Sequence, residues 1–198
     1  MPPAKRAQTM AENRARLLAA ARRAFAAQGF AEASMDELTA AAGLTRGALY
    51  HHFGDKKGLL AAVVSQIDED MAVRARKAAL GAADDWDALI VEGVAYIEMA
   101  LDPEIRRIVL LDGPAFLGDP SQWPSQNACL DLTQQSLARL ASEGRLKPVD
   151  VEAAARLLNG AALNAALWVA ASEVPAVTLP KAVAAFKAMA AGLLAAPR

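Results

Sequence analysis

The chain has 198 residues, 55% of them apolar, and a formal net charge of −1, which excludes a disordered polar chain and supplies enough material for one large domain or a small one fused to a larger one. Its single cysteine, Cys129, excludes an intrachain disulfide and any multi-cysteine zinc site. The longest apolar run, Leu157 to Ala171, is interrupted by Asn159 and Asn164 and falls short of the roughly 20 residues a bilayer requires. No apolar stretch follows Lys5 and Arg6, so no secretory signal is read, and a soluble, cytoplasmic protein without a membrane partner is expected.

The charge is unevenly placed. Residues 1–60 hold nine Lys/Arg and five Asp/Glu, whereas residues 61–198 hold twelve and seventeen, so a +4 segment is joined to a −5 segment. An anionic partner for the N-terminal part alone fits that split. Alanine and leucine dominate while β-branched residues are sparse, a composition that favours helix.

In chain order, Thr9-Met-Ala-Glu12 has the form of a capping box and predicts a helix to about Gln28, with Leu17, Leu18, Ala21, Ala24 and Phe25 as its buried stripe. Gly29 stands where a left-handed C-cap is wanted. Ser34-Met-Asp-Glu37 opens a short helix to about Ala42, ended by Gly43. Thr45 caps a third helix to about His52, ended by Gly54, and Asp55 caps a fourth to about Leu80. Further on, helices are predicted from Asp84 or Asp85 to Leu101 and from Pro103 to Asp112, where Gly113-Pro114 should break the chain. A turn-rich loop at 118–125 precedes a helix to Glu143. Asp150 caps a long helix to about Ser172, and Thr178 is expected to cap the last, with Pro180 in its first turn. The fold class is therefore all-α: a three-helix N-terminal unit at residues 1–54 joined to a larger helical unit at 55–198.

Residues 34–53 form two short helices about a tight turn at Gly43-Leu44-Thr45, the helix-turn-helix plan. Leu38, Ala42, Leu44, Leu49 and Phe53 are spaced to make one shared core. That leaves Thr45, Arg46, Gly47, Ala48, Tyr50, His51 and His52 on an outward face. Gly47 and Ala48 let the backbone approach base edges, and Arg46 carries the fork that matches guanine O6 and N7. Tyr50 and the histidines can donate to phosphates, and Lys56 adds charge beside the free amides of the next helix. A metal on His51 and His52 is disfavoured, because adjacent helical positions diverge by about 100°.

The segment SMDELTAAAGLTRGALYHHFGDKKGLL resembles the DNA-binding segment of the TetR (tetracycline-repressor-like) family. Ser34, Leu38, Ala42, Gly43, Leu44, Thr45, Gly47, Leu49, Tyr50, His52, Phe53, Lys56 and Leu59 match the family pattern over about residues 9–64, while Thr39 and Lys57 depart from it away from the turn. The resemblance implies that Ser34, Thr45, Tyr50, His52 and Lys56 grip phosphates and that Arg46, Gly47 and Ala48 face bases. His51 falls in a variable slot. It also implies a homodimer on a palindromic operator, regulation of transcription, usually repression, and a small-molecule effector enclosed by the middle helices.

Leu157 to Ala171 is apolar nearly all round and must be covered on every side, so with Val183, Phe186, Met189, Leu193 and Leu194 of the last helix it is a candidate dimer interface. Candidate effector-lining residues are Ile97, Leu101, Ile105, Ile108, Val109, Phe116, Trp123, Leu163 and Trp168, with Asp112, Asn159 and Asn164 as polar anchors. So few polar groups among apolar ones predict a largely hydrophobic effector. No cofactor is expected. Both histidines lie in the reading helix and no phosphate-cradling glycine loop is present, so catalysis has no support.

Overall fold

The computed structural model describes residues 3–196, which are helical apart from connecting turns and one bridge between Leu146 and Leu194. Helices α1 (Pro3–Gln28), α2 (Met35–Ala42) and α3 (Arg46–Phe53) make the N-terminal head. Helix α4 (Lys56–Ala78) leaves it and enters a body of α5 (Asp85–Glu98), α6 (Pro103–Ile105), α7 (Gly113–Leu117), α8 (Pro124–Ser142), α9 (Val151–Ala171) and α10 (Pro175–Ala191).

Local chemistry sets the breaks in the head. Ser34 Oγ accepts from the Asp36 amide, Thr45 Oγ1 from Ala48 and Asp55 Oδ1 from Gly58, so α2, α3 and α4 each begin on a side-chain cap. Caps of this kind are worth about 0.5–2 kcal/mol each. Gly43 ends α2 at φ 62°, a left-handed conformation that a Cβ would strain. Leu17, Phe25, Leu38, Leu49 and Leu59 close the head core with no more than 1% exposure. Burying such side chains contributes about 1.5–3 kcal/mol apiece, which is what seats α3 on α1 and α4. A Cβ on Gly58 would stand 2.0 Å from the Phe53 carbonyl oxygen, so the close crossing of α4 over the end of α3 depends on that glycine.

Three sequence expectations need correction. Helix α1 starts at Pro3, and the Thr9 hydroxyl bonds back to the Lys5 carbonyl four residues earlier, so Thr9 is an interior residue and not a cap. Gly113-Pro114 does not break the chain. A π-helical stretch, Arg106–Asp112, runs without a break from α6 into α7, the Gly113 amide bonding the Ile108 carbonyl five residues back, and Pro114 stands in the first turn of α7. The last helix begins at Pro175 and holds Pro180 inside it; Thr178 sits in its first turns with its hydroxyl 2.7 Å from that of Ser172.

The π-helical stretch lies against the head. Asp112, buried, accepts the Phe30 amide at 2.7 Å. Arg107 reaches the Gln28 carbonyl at 3.3 Å and the Asp112 carboxylate at 3.4 Å. The Phe30 ring meets that of Phe116 at 4.5 Å. Arg22 of α1 bonds Glu104 of α6 and Asp70 of α4, each at 2.8 Å, and its pKa is held above the ordinary value by those carboxylates. Head and body thus meet at a second place besides the continuous α4.

Candidate nucleic-acid interface and body cavity

Helix α3 presents its expected outward face. Thr45, Arg46, Gly47, Tyr50 and His51 are exposed, Ala48 and His52 are half-buried, and Leu49 turns inward at 0% exposure. Nothing but Thr45 Oγ1 lies within 4 Å of a Cβ on Gly47, so that stretch of helix is bare to approach. Burial, with His51 and Arg14 nearby, holds the His52 imidazole below its ordinary pKa. Ser34 and Thr45 use their oxygens as cap acceptors, which leaves each O–H free to donate.

Two cations near this face are engaged in ways the sequence did not indicate. The Arg46 guanidinium holds both oxygens of Asp36, with Nη2 at 2.6 Å, and the pairing raises its pKa. Both partners are largely exposed, so water screens the pair and the fork can be exchanged for another acceptor. Lys56 donates to the Ala31 carbonyl at 3.1 Å and lies 4.6 Å from the centroid of the Phe30 ring. Its ammonium is therefore fixed beside the start of α2 rather than swinging freely. Lys5 and Arg6 are exposed on the first turns of α1.

The body holds a cavity of about 780 Å³, partly open to solvent, between α4, α5, α8 and α9, with Phe186 of α10 also in its lining. Met71, Leu89, Leu132, Leu158 and Ala162 supply apolar wall, and Asp68, Glu92, Tyr96, Cys129 and Thr133 supply polar groups. Asp68 is 7% exposed, and its carboxylate takes a 2.6 Å hydrogen bond from Ser125 Oγ. Burial raises its pKa to about 6, partly opposed by that bond. Burial also pushes the Glu92 carboxyl, the Tyr96 phenol and the Cys129 thiol up from their usual values. Thr133 Oγ1 donates to Asn159 Oδ1 at 3.0 Å, tying α8 to α9 in the wall.

Of the twelve effector-lining candidates, Asn159 lines this cavity and the other eleven do not. Ile97, Ile105, Ile108 and Val109 fill the core at 0–2% exposure. Asp112 and Phe116 serve the contact with the head, and the Trp123 ring packs where a Cβ on Gly113 would stand. Leu163 is half-buried, whereas Leu101, Asn164 and Trp168 are exposed. An apolar residue at helical spacing does not reveal whether it meets core or space. The available signal was polar groups on otherwise apolar helix faces, Glu92 with Tyr96 and Cys129 with Thr133, each pair four residues apart. Phe186 is also buried within the protomer, at 3%, and so is not surface, unlike Met189 at 67%. Among the described residues no group of three His, Cys, Asp or Glu is placed to hold a metal, and no helix is long and apolar enough to cross a membrane.

Comparison with known proteins agrees along most of the chain. Residues 17–63 match the family described as bacterial regulatory proteins, tetR family, and residues 86–193 match the tetracyclin repressor-like C-terminal domain. A TetR-family transcriptional regulator from Pectobacterium atrosepticum, known from its crystal structure, is 47% identical, with full coverage of both chains and a TM-score of 0.87. The transcriptional repressor AcnR of Corynebacterium efficiens is 28% identical over 151 residues, covering 70% of this chain and 73% of AcnR. The probable regulator ArpR of Pseudomonas putida is 32% identical over 158 residues, 73% of each chain. An exposed reading helix on a capped helix-turn-helix, an all-helical body behind it and these likenesses lead to one conclusion: the chain belongs to the TetR family of DNA-binding transcriptional regulators, which are not enzymes.

Proposed function

We propose that this regulator is a homodimeric, cytoplasmic repressor of sequence-specific action, released from a palindromic operator by a small organic effector with an apolar body. The observation that carries the DNA half is the bare face of α3, where Arg46, Gly47, Tyr50 and His51 stand clear of a head core closed by Leu49. In the groove, Arg46 exchanges Asp36 for guanine O6 and N7, and Gly47 and Ala48 allow close approach. Ser34, Thr45, Tyr50, His52 and Lys56 hold phosphates, the two capped hydroxyls through their free O–H. His51 reaches either. The reading head is residues 1–54, and residues 55–198 bind effector and dimerise.

The dimer face is the outer side of α9 and α10, where Leu157 (75% exposed), Trp168, Val177 and Met189 are apolar and open. A twofold pair places two α3 helices about 34 Å apart, or at a related spacing, on one duplex. The effector site is the 780 Å³ cavity, which lies within the range of about 300–1,000 Å³ that suits a small ligand. Its α4 wall leads straight to α3, and the Asp112–Phe30 and Phe116–Phe30 contacts give a second route to the head. Effector shifts the dimer toward a conformer whose heads are mis-spaced, with a coupling of about 1–3 kcal/mol that acts equally in both directions.

Replacing Tyr50 and His52 with alanine tests the DNA face. Operator affinity should collapse while helix content and dimer mass persist. Unaltered affinity would remove α3 from the interface. Equal DNA affinity with and without bound effector would leave a regulator that no small molecule controls.

A further inference from the structure

We propose that the cavity takes an organic cation, its positive centre between Asp68 and Glu92 and its apolar body against Met71, Leu89, Leu158 and Phe186. The proposal rests on the cavity being the effector site and adds the charge class of the occupant.

Asp68 is buried, and its one hydrogen-bond partner among the described residues is the neutral Ser125 hydroxyl at 2.6 Å. Glu92 is half-buried on the facing helix α5, with no hydrogen bond or ion pair among the described residues. Burying a carboxylate without a cation is costly, so such a site gains most from an occupant that brings the missing charge. The lining arginines lie on exposed positions. Arg139 already holds Asp85 at 2.8 Å, and Arg76, two helical turns along α4 from Asp68, acts on Glu92 and partly opposes the effect of burial there, so the carboxylate left without a cation is that of Asp68. Tyr96 and Phe186 line the same space, and aromatic rings attract a cation held near their faces. An anion beside Asp68 would meet a second carboxylate on Glu92, and a neutral ligand would leave Asp68 desolvated and without a cation.

The titratable and charged groups that line the cavity with Asp68 are Glu69 and Arg76 on its own helix, Glu92 and Tyr96 on α5, and Cys129 and Arg139 on α8; the α9 wall contributes no titratable group. Burial pushes Asp68 up to about 6, so protons compete with a cation for it in mildly acid solution. The test uses the full-length protein and three probes: tetraphenylphosphonium, tetraphenylborate, which has the same shape and the opposite charge, and the neutral fluorophore N-phenyl-1-naphthylamine. The fluorophore should occupy the cavity and be displaced by the phosphonium but not by the borate. Phosphonium affinity should fall about ten-fold between pH 8 and pH 5 as Asp68 takes up its proton. Asp68→Asn should bind the phosphonium about ten-fold more weakly than the parent at pH 8 and lose most of the pH dependence, and Glu92→Gln should also weaken it. Displacement by borate as effective as by phosphonium, or phosphonium affinity untouched in both variants, would overturn the charge class while leaving the cavity as a ligand site. If none of the three probes binds, the effector-site assignment itself falls, and the charge class with it.

Discussion

Asp68→Asn should stabilise the protein, and only above mildly acid pH. The carboxyl has an ordinary pKa of 3.8 and a folded value of about 6. Each unit is worth 1.36 kcal/mol, so the ionised group costs the fold about 3 kcal/mol at most, with water at the cavity mouth screening part of it. The folded pKa is raised, so the folded state holds the proton more tightly. The wild-type protein is therefore free of this cost below pH 4, loses stability as pH rises through about 6, and carries the full cost above about 7. Asparagine is nearly isosteric and still accepts from Ser125, yet carries no charge to desolvate. Urea denaturation followed by circular dichroism, at pH 4 and pH 8, should give equal midpoints at the lower pH and a more stable variant at the higher. In melting temperature, about 3 kcal/mol corresponds to roughly 6–12 °C for a chain of this size. A stability difference that is the same at both pH values, or a variant less stable at pH 8, would refute the idea that Asp68 is an uncompensated buried charge.

The other predictions concern the head and its joints. Asp112→Asn removes the anionic acceptor of the Phe30 amide and the partner of Arg107, and should cost about 1.5–3 kcal/mol in denaturant titrations. In the same variant, effector should displace DNA less effectively although the cavity probes bind as before. Gly58→Ala drives a Cβ onto the Phe53 carbonyl, so α3 must shift. A loss of at least about 1 kcal/mol of stability, with operator affinity reduced beyond that seen for a surface alanine, is the expected outcome in melting and anisotropy assays. Lys56→Ala should weaken binding to all DNA sequences alike and flatten the slope of log affinity against log salt by about one unit.

Much of the head was legible because its breaks are made by local chemistry. A capping hydroxyl or carboxylate and a left-handed glycine act within a turn of themselves, so Ser34, Gly43, Thr45 and Asp55 mark their junctions in the sequence as they do in the structure. Junctions that tertiary contacts decide were not legible. Gly113-Pro114 carries the marks of a break, yet Asp112 is pinned to Phe30 and Trp123 fills the space beside Gly113, so the chain stays helical through a π-helical stretch. Thr9 has a capping-box neighbour at Glu12, but the preceding residues continue the helix and its hydroxyl turns back to Lys5. The cavity was hardest to read. Ile105 and Leu132 are alike in apolar character, and only the distances between helices decide that Ile105 meets core and Leu132 meets the open space of the cavity. The pairing of Arg46 with Asp36 joins residues ten apart across the turn and depends on rotamers that spacing does not specify.

The most direct measurement is a hydroxyl-radical footprint of the protein on a DNA fragment selected from random sequence, with Tyr50→Ala alongside. Two protected patches on one face of the duplex, related by twofold symmetry and centred about one helical turn apart or a multiple of it, are expected, and both should vanish in the variant. A single unpaired patch, or protection that the variant keeps, would mean that the open face of α3 is not what meets DNA.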